Sequence, residues 1–328
     1  MSWVYVVIPS FRPVGGVVKM LDYAGHALDL GRRVAICCPE PRRPGLPVLA
    51  TKRLARLAPG GEARHIEGFS FGVEPSDLVL FTWPEDYGEI AARLDPGTSP
   101  ERVVHLVQNV RHANPAWLGG QATRLLTRPL SRIMVSRQTL DACLPYLNPH
   151  SLTRVIPLGH AWEYFRKRRR GGLPRPIRVG YTTWKSQVGA RVEASLAGDS
   201  RFRFRSIREA ASWDALRRLY HWADVVLGTP GPEEGFYLPG LEALAAGALL
   251  VTADAVGNRA YSRFGENCLE VPLESEEGYR AALARLAEMG QGEVTAMRFA
   301  GYAALANHTL AEEQRRFRDF LGEVESLG

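Results

Sequence analysis

Two glutamates lie eight residues apart in the second half of the chain, where a loop leads into a predicted helix. Glu234 belongs to the loop, and Glu242 lies within the apolar run from Leu241 to Ala246. Because a carboxylate accepts hydrogen bonds strongly, such a pair suits the hydroxyl groups of a sugar or a ribose. A solvated charge near a helix N-terminus is the alternative. It accounts for Glu234 but not for an acidic residue inside an apolar run.

The backbone between these glutamates could hold an anion. Pro239 favours a helix that begins near Leu238, because proline suits the first turn. The first N–H groups of a helix have no partner within the helix. The amides of Phe236, Tyr237 and Leu238 are therefore candidates for binding a phosphate group.

Two further loops contain groups that suit a phosphate. In Pro13-Val14-Gly15-Gly16, the residues Gly15 and Gly16 allow a close approach of the backbone to an anion. This loop lacks the G-x-G-x-x-G pattern of dinucleotide enzymes, and a simple tight turn is the alternative. Lys185 follows another apolar run and could act as the counter-charge of a diphosphate. A surface lysine is the alternative, although only four of the 41 basic residues are lysines.

The alternation of apolar runs with helical patterns places these loops in an α/β fold. Strands are predicted at 3–9, 33–38, 77–82, 102–108, 131–136 and 153–157, and then at 177–181, 201–207, 224–228, 248–252 and 267–271. Helices are predicted at 17–30, 87–94, 137–147, 213–222, 238–246, 275–289 and 309–324. Each half should form a Rossmann-like parallel sheet with its ligands at the carboxyl ends of the strands.

Length and charge limit the organisation and the partners. A chain of 328 residues is expected to form two domains, and the basic, Gly- and Pro-rich segment 166–176 is the predicted linker. The net charge of +6 favours anionic partners. No nucleic acid is expected, because aromatic and basic residues do not interleave. The dense run 166–170 is interpreted as solvated, with contact to an anionic membrane as the alternative.

The cysteines indicate a reducing compartment. Cys37, Cys38, Cys143 and Cys268 form no CxxC pair and no Cys/His cluster with zinc spacing, so no metal is expected. Cys37 and Cys38 are interpreted as buried free thiols. The N-terminus lacks the features of a signal peptide, and no apolar stretch approaches the roughly 20 residues of a spanning helix. A cytoplasmic protein is expected, with the inner face of the membrane as a peripheral location.

At these residues the sequence resembles the family-4 retaining glycosyltransferases of the GT-B fold. The strongest match runs from Ala223 to Pro272, where Glu234 and Glu242 take the places of the family's E-x7-E motif. The resemblance implies two Rossmann-like domains that face a central cleft. It assigns the acceptor to residues 1–165 and the nucleotide sugar to residues 177–305. It also implies that a helix within 306–328 packs back on the first domain.

The resemblance also implies an activity and a set of roles. The chain would transfer a hexosyl group, with retention and without a metal or other cofactor, from a nucleotide-sugar donor to an unidentified acceptor. Glu234 would contact the donor sugar and Glu242 the ribose. The amides of Phe236–Leu238 and of Gly16 would hold the diphosphate or the sugar, and Lys185 would neutralise the leaving diphosphate.

The chain departs from the family pattern at positions that matter for activity. Tyr181 stands where the family usually has an arginine, so one positive charge is missing unless Arg259 supplies it. Gln108 stands where the family often has a histidine; it can hydrogen-bond a sugar hydroxyl but cannot titrate. His112 is a second candidate for this place. The Gln108-Asn109 pair resembles a rhamnosyltransferase-like branch. A non-catalytic nucleotide-sugar or glycan-binding protein with the same fold is the alternative function.

Aromatic residues of the first half are candidates for binding the acceptor. Trp83, Tyr87 and Trp117 lie in or near its loops. Aromatic faces stack well on sugars, but packing in the core explains such residues equally well. His105 lies within an apolar strand and is interpreted as a core residue.

Overall fold

The computed structural model describes residues 2–11, 14–39, 55–58, 60–209 and 211–327. The chain divides into two compact units. The first comprises Met1–Leu158 and Leu310–Gly328, and the second comprises Gly159–Thr309. Each unit contains a parallel sheet with helices, which confirms the predicted α/β class. Pro13 of the predicted glycine loop lies outside the described residues.

The first unit is built on a parallel sheet. Its described strands are β1 (Trp3–Val7), β2 (Arg33–Cys38), β3 (Arg64–Glu67), β4 (Leu78–Phe81), β5 (Val103–Val107), β6 (Ser131–Met134) and β7 (Thr153–Val155). Their order is β3-β2-β1-β4-β5-β6-β7. In this register Val6 lies opposite both Ile36 and Leu80. The chain moves outward from β1 to β3 and then returns to β4 on the other side of β1. The switch point of this sheet therefore lies between β1 and β4.

Helices of the first unit follow the strands. Its described helices before the second unit are α1 (Gly15–Asp29), α2 (Tyr87–Ala91), α3 (Gln121–Leu126) and α4 (Arg137–Cys143). The helix predicted over 137–147 ends at Cys143 and continues as a 3-10 turn over Leu144–Tyr146. Pro145 accounts for this difference, because proline cannot donate the next helical hydrogen bond.

The second unit repeats the design with a smaller parallel sheet. Its described strands are β8 (Ile177–Thr182), β9 (Phe202–Ile207), β10 (Val225–Gly228), β11 (Leu249–Ala253) and β12 (Cys268–Val271). Its helices are α5 (Val188–Ser195), α6 (Trp213–Trp222), α7 (Leu238–Ala245), α8 (Glu276–Glu288) and α9 (Gln291–Leu305). The order β12-β11-β10-β8-β9 places the switch point between β8 and β10. At the edge, β9 packs Phe202 and Phe204 on the core and exposes its arginines, as its alternating pattern predicted.

The sequence patterns predicted most of these elements but missed four: β3, α3, α5 and α9. β3 is a short polar edge strand, and only its pairing with β2 defines it. α9 carries two glycines and an exposed Phe299, which interrupt its apolar periodicity. Its N-terminus is fixed instead by Glu293, which accepts the N–H of Gly290 at 2.9 Å.

The basic segment 166–176 differs from the solvated run that was predicted. The Arg169 guanidinium pairs with Asp224 at 2.8 Å, and Lys167 Nζ donates to the His221 carbonyl at 2.7 Å. Asp224 is only 2% exposed, and a buried carboxylate needs a positive partner. Two of the five basic residues in the run are therefore packed within the second unit, to which the run belongs. The exposed ones are Arg166, Arg168 and Arg170.

The C-terminal helix α10 (Leu310–Leu327) belongs to the first unit and packs against α1. Glu313 of α10 is buried and lies 2.8 Å from both Lys19 Nζ and His26 Nε2 of α1. Burial opposes the ionisation of Glu313, but Lys19 and His26 outweigh it and lower the pKa of this carboxyl. Lys19 also pairs with Asp22 at 2.9 Å. A buried charge network therefore fixes the end of the chain on the first helix.

Replacing Glu313 by glutamine should destabilise the first unit. The substitution removes one of the two negative charges that compensate buried Lys19, so we expect the free energy of unfolding to fall by about 3 kcal/mol. Chemical denaturation measures this change. Glu312→Gln is the control, because this partly exposed neighbour pairs with Arg315 and Arg316 at the surface and should cost about 1 kcal/mol or less. Equal effects of the two substitutions would contradict the role of the network.

Candidate functional site

In the second unit, the loops after β8 and β10 meet at the switch point of the sheet. The Lys185 ammonium pairs directly with Glu234 Oε1, and the N–H of Gly231 donates to the same oxygen at 3.1 Å. The Lys185 side chain is 38% exposed and that of Glu234 is 14% exposed. Lys185 Nζ also lies 5.4 Å from the centre of the Tyr237 ring. The structure thus brings together two predicted site residues that are 49 positions apart in the chain.

Tyr237 fixes the start of α7 next to this pair. It is buried and has a left-handed backbone (φ 65°). Its hydroxyl accepts the N–H of Thr229 at 2.8 Å, and its carbonyl accepts the Tyr261 hydroxyl at 2.6 Å. No side chain among the described residues caps α7. The predicted amides of Phe236, Tyr237 and Leu238 therefore lie at a helix N-terminus whose N–H groups can serve an anion.

A neighbouring loop braces the Glu234 backbone. The N–H of Gly257 donates to the Glu234 carbonyl at 3.1 Å, and Val256 pairs with Glu234 in a short parallel bridge. A Cβ at position 257 would lie 2.2 Å from the Gly235 carbonyl carbon. Only glycine allows this approach, so Gly257 sets the position of the acidic loop.

Arg259 lies on the same bracing loop but is already paired. Its Nε donates to Asp254 Oδ1 at 2.9 Å, and its side chain is 53% exposed. This ion pair lowers the pKa of Asp254 and raises that of Arg259. The positive charge that the sequence assigned to a diphosphate is thus compensated by a carboxylate in the free protein.

Tyr181, which stands where an arginine was expected, points into the core of the second unit. It is fully buried, its hydroxyl donates to Glu193, and its ring approaches the backbone at Gly189. A Cβ on Gly189 would lie 2.5 Å from this ring. Tyr181 therefore fills space beneath α5 and gives the site no charge.

Glu242 lies inside α7 and is only 4% exposed. Its Oε1 lies 3.0 Å from His160 Nε2, a partner that the sequence analysis missed because the two residues are 82 positions apart. Its Oε2 is buried as well. Burial raises the pKa of the Tyr220 hydroxyl well above its usual value, and the charge of Glu242 and a hydrogen bond to its carboxylate add to the effect. Glu242 is thus a buried carboxylate that His160 and Tyr220 hold in place.

In the first unit, the glycine loop and the end of β5 meet at the other switch point. Gln108 Nε2 donates to the Gly16 carbonyl at 3.0 Å and to Thr82 Oγ1 at 3.1 Å. Gly15 and Gly16 are exposed at the start of α1, which has no side-chain cap among the described residues. The structure thus brings together Gly16 and Gln108, both predicted from the sequence.

His112 is buried beside two other aromatic groups. Its Nδ1 lies 2.9 Å from the Asn109 carbonyl, and its ring meets Trp117 edge to face at 4.9 Å. Burial lowers the pKa of His112 to about 4, so the ring is neutral at pH 7. His105 stacks on Phe81 at 4.9 Å and is fully buried, as predicted.

Two of the three predicted aromatic residues form a pair. The Trp83 and Trp117 rings are 5.6 Å apart and nearly perpendicular, at 87°. The Arg111 guanidinium lies 4.7 Å from the centre of the Trp117 ring. Tyr87 is not part of this pair, because it stacks on Phe81 of the core at 6.1 Å.

Asp86 is a residue of this region that the sequence analysis missed. It ends the 3-10 turn Pro84–Asp86 after Trp83, and its Oδ2 is buried with no hydrogen-bond partner in the described part of the chain. Burial, reinforced by Glu85, raises the pKa of Asp86 to about 6. A turn of proline and two acidic residues gives no sequence signal for this burial.

The raised pKa of Asp86 should make stability depend on pH. The folded chain holds this proton more tightly than the unfolded chain, whose aspartate has a pKa of about 4. The free energy of unfolding should therefore contain a contribution that is present below about pH 4 and is lost as the pH rises through about 6.

Asp86→Asn should remove the loss of stability that accompanies ionisation of Asp86 as the pH rises through about 6. We expect it to raise the free energy of unfolding at pH 7 by about 1 kcal/mol, less than the full shift implies because the carboxyl is partly exposed to solvent. Denaturation curves at several pH values measure the effect, with the exposed Asp141→Asn as control. A parallel pH dependence of Asp86→Asn and the unsubstituted chain would contradict this account.

Within the described ranges, no three His, Cys, Asp or Glu side chains are grouped so as to hold a metal ion. No helix of the described chain combines the length and the apolar character needed to cross a bilayer. The four cysteines are buried, and Cys37, Cys143 and Cys268 are free thiols.

Comparisons with known proteins give the fold its context. No family model and no curated protein matches the sequence. Among solved structures, Anabaena Alr3699/HepE in complex with UDP is 16% identical, with 98% of this chain and 100% of that chain covered and a TM-score of 0.71. Sucrose-phosphate synthase from Thermosynechococcus elongatus is 13% identical, with both chains fully covered and a TM-score of 0.74.

A third structure extends the pattern. Trehalose-6-phosphate synthase, studied for glycosyl transfer with retention, is 12% identical, with 98% of this chain and 99% of that chain covered and a TM-score of 0.68. At these identities the likeness establishes the fold alone. The chain therefore has the fold of the GT-B glycosyltransferases.

Proposed function

We propose that this protein is a glycosyltransferase that takes a hexosyl group from a nucleotide-diphosphate sugar. The observation that carries the proposal is the Lys185–Glu234 pair beside the uncapped start of α7, at the switch point of a sheet in a GT-B fold. A cation, free backbone amides and a carboxylate are the groups that a diphosphate joined to a sugar requires. The alternative for Lys185, a surface lysine, does not explain its pairing with a partly buried carboxylate.

In the proposed reaction, the nucleotide-sugar donor replaces the ion pair that Lys185 and Glu234 form with each other in the unliganded protein. Lys185, now paired with Glu234, would turn to the diphosphate and stabilise the charge that develops on the leaving group. Glu234 would accept a hydrogen bond from a hydroxyl of the donor sugar. Glu242 would accept one from the ribose in exchange for a contact with His160 or Tyr220. Gly16 and Gln108 remain candidates for contact with substrate.

Retention and independence from metals are the finer parts of the proposal. Both follow from the resemblance to family-4 enzymes, and the likeness to a synthase studied for transfer with retention supports retention. The leaving phosphate would take the proton of the acceptor on the face from which it departs. Catalysis would then rest on positioning and electrostatics rather than on a titrating base. This agrees with Gln108, which cannot titrate, and with His112, which is buried and whose pKa of about 4 makes it a weak base.

Binding of nucleotides tests the donor site. Calorimetry with UDP, GDP, dTDP and ADP should reveal a binder, and UDP is the first choice because a similar structure contains it. Lys185→Gln should weaken binding at least tenfold, because it removes a charge-assisted contact of about 1.5–3 kcal/mol.

The matched control is Arg191→Gln, which breaks a surface ion pair with Glu274 in the same unit. It should leave the affinity unchanged. If no nucleotide binds to the folded protein, or if both substitutions weaken binding equally, the assignment of the donor site falls.

A non-catalytic nucleotide-sugar or glycan-binding protein is the second candidate. Two observations favour it: Tyr181 is a core residue, and the charge of Arg259 is compensated by Asp254. Release of the nucleotide from its sugar, measured over a panel of acceptors, separates the two functions. Binding without any release favours the second.

The exposed arginines of the basic run support a peripheral contact with an anionic membrane. Arg166, Arg168 and Arg170 are exposed, whereas Lys167 and Arg169 make contacts inside the second unit. Sedimentation with anionic and with neutral vesicles tests this part of the proposal, and equal binding to both would reject it.

A further inference from the structure

We propose that Trp83 and Trp117, with Asp86, Arg111 and His112, form a subsite that binds a saccharide unit of the acceptor. The inference rests on the proposed function and specifies the chemical class of its second substrate. It places sugar recognition in the first unit, at the carboxyl ends of β4 and β5, next to the switch point between β1 and β4.

The indole rings of Trp83 and Trp117 supply an apolar surface on which a sugar ring can pack. Trp83 follows β4 and Trp117 follows β5, so these neighbouring strands bring their rings together. The rings are 5.6 Å apart and nearly perpendicular, and both are half-buried. The indole N–H of Trp83 donates to Glu85 at 2.6 Å, which fixes the orientation of that ring. A sugar ring presents C–H groups that pack against aromatic faces, and its hydroxyl groups remain free for polar contacts.

Polar groups with unmet hydrogen bonds surround this surface. Arg111 lies over Trp117, and its Nε is buried without a partner among the described residues. Asp86 Oδ2 is also buried without a hydrogen-bond partner in the described chain. The backbone N–H of Asp86 donates to the Trp83 carbonyl at 3.1 Å, which keeps Asp86 next to Trp83. His112 is only 3% exposed and is held by the backbone of Asn109 and Thr82, so it supports the Trp117 ring from behind.

These unmet groups decide between a saccharide and an apolar acceptor. Most buried polar atoms in native proteins are hydrogen-bonded, so two exceptions beside one pair of rings call for a ligand. An apolar aglycone or a lipid tail would cover the indoles but leave the Asp86 carboxylate and the Arg111 guanidinium unsatisfied. The hydroxyl groups of a saccharide both donate and accept, so they can satisfy both groups.

The backbone after Trp117 is held in an unusual conformation that fixes the ring. Leu118, Gly119 and Gly120 all have left-handed dihedral angles, with φ of 50°, 56° and 79°. Arg124 Nη1 donates to the Gly119 carbonyl and Thr123 Oγ1 to the Gly120 carbonyl, both at 3.0 Å. The left-handed conformation is unfavourable for a leucine, so the hydrogen bonds from Arg124 and Thr123 must stabilise this turn.

Direct binding of simple sugars to the full chain tests the inference. Saturation-transfer NMR and calorimetry would use the methyl glycosides of glucose, galactose, mannose and rhamnose, together with sucrose and trehalose, with and without UDP. We expect saturable binding of at least one of these sugars. Trp117→Ala and Asp86→Asn should each lower its affinity about tenfold, through loss of an aromatic contact and of a charged acceptor.

Trp222→Ala is the matched control. Trp222 is also a half-buried tryptophan beneath an arginine, since Arg205 lies 4.5 Å from its ring centre, but it belongs to the second unit. This substitution should leave sugar binding unchanged. If Trp117→Ala does not fold, Trp117→Phe replaces it, and it should retain part of the affinity because it keeps an aromatic face.

The outcomes separate this inference from the proposed function. If UDP or another nucleotide binds but none of the six sugars does, the saccharide subsite is overturned and the donor assignment stands. Sugar binding that is insensitive to both Trp117 and Asp86 also overturns it. Sugar binding that depends on these residues, without any nucleotide binding, supports the subsite while the proposed transferase function falls.

Discussion

Parallel pairing of the strands is the constraint on which both halves of this protein depend. In a parallel sheet every strand ends at the same edge, so the loops that follow neighbouring strands must meet there. In the second unit this edge collects Lys185 after β8 and Glu234 after β10. In the first unit it collects Gly16, Thr82 and Gln108. The chemistry proposed for each unit thus arises where strand order reverses.

Contacts between residues distant in the sequence then hold these loops in one conformation. Gly257 approaches the Glu234 backbone so closely that no side chain would fit, and Tyr237 is held through both its hydroxyl and its carbonyl. In the first unit, Arg124 and Thr123 hold the left-handed turn behind Trp117. Side chains on such braced loops are positioned before a ligand arrives, which lowers the cost of binding.

Electrostatic balance distinguishes the structural charges from those available for function. Glu313 and Asp224 are buried and matched by cations, so they stabilise the units. Lys185 and Glu234 neutralise each other but remain partly exposed, and a ligand can exchange with either of them. Asp86 has a buried oxygen without a partner in the described chain, which marks it as a group that a ligand would satisfy.

Local patterns in the sequence determined the elements and the candidate loops. Apolar runs predicted the buried strands to within about two residues, because strands covered on both faces must be apolar. Glycines, one proline and a rare lysine marked Gly16, the start of α7 and Lys185. The α/β class followed from the order of these elements, and the tertiary structure confirmed it.

Only the tertiary structure decided which side chains are partners. It pairs His160 with Glu242 across 82 positions and Arg169 with Asp224 across 55. It also turns Tyr181 into the core, pairs Arg259 with Asp254, and buries one oxygen of Asp86. No local pattern encodes these outcomes, because each depends on which distant groups share one small volume after the sheets have formed. The sequence therefore determined where the loops lie along each sheet, and packing decided which of their charges remain available to a ligand.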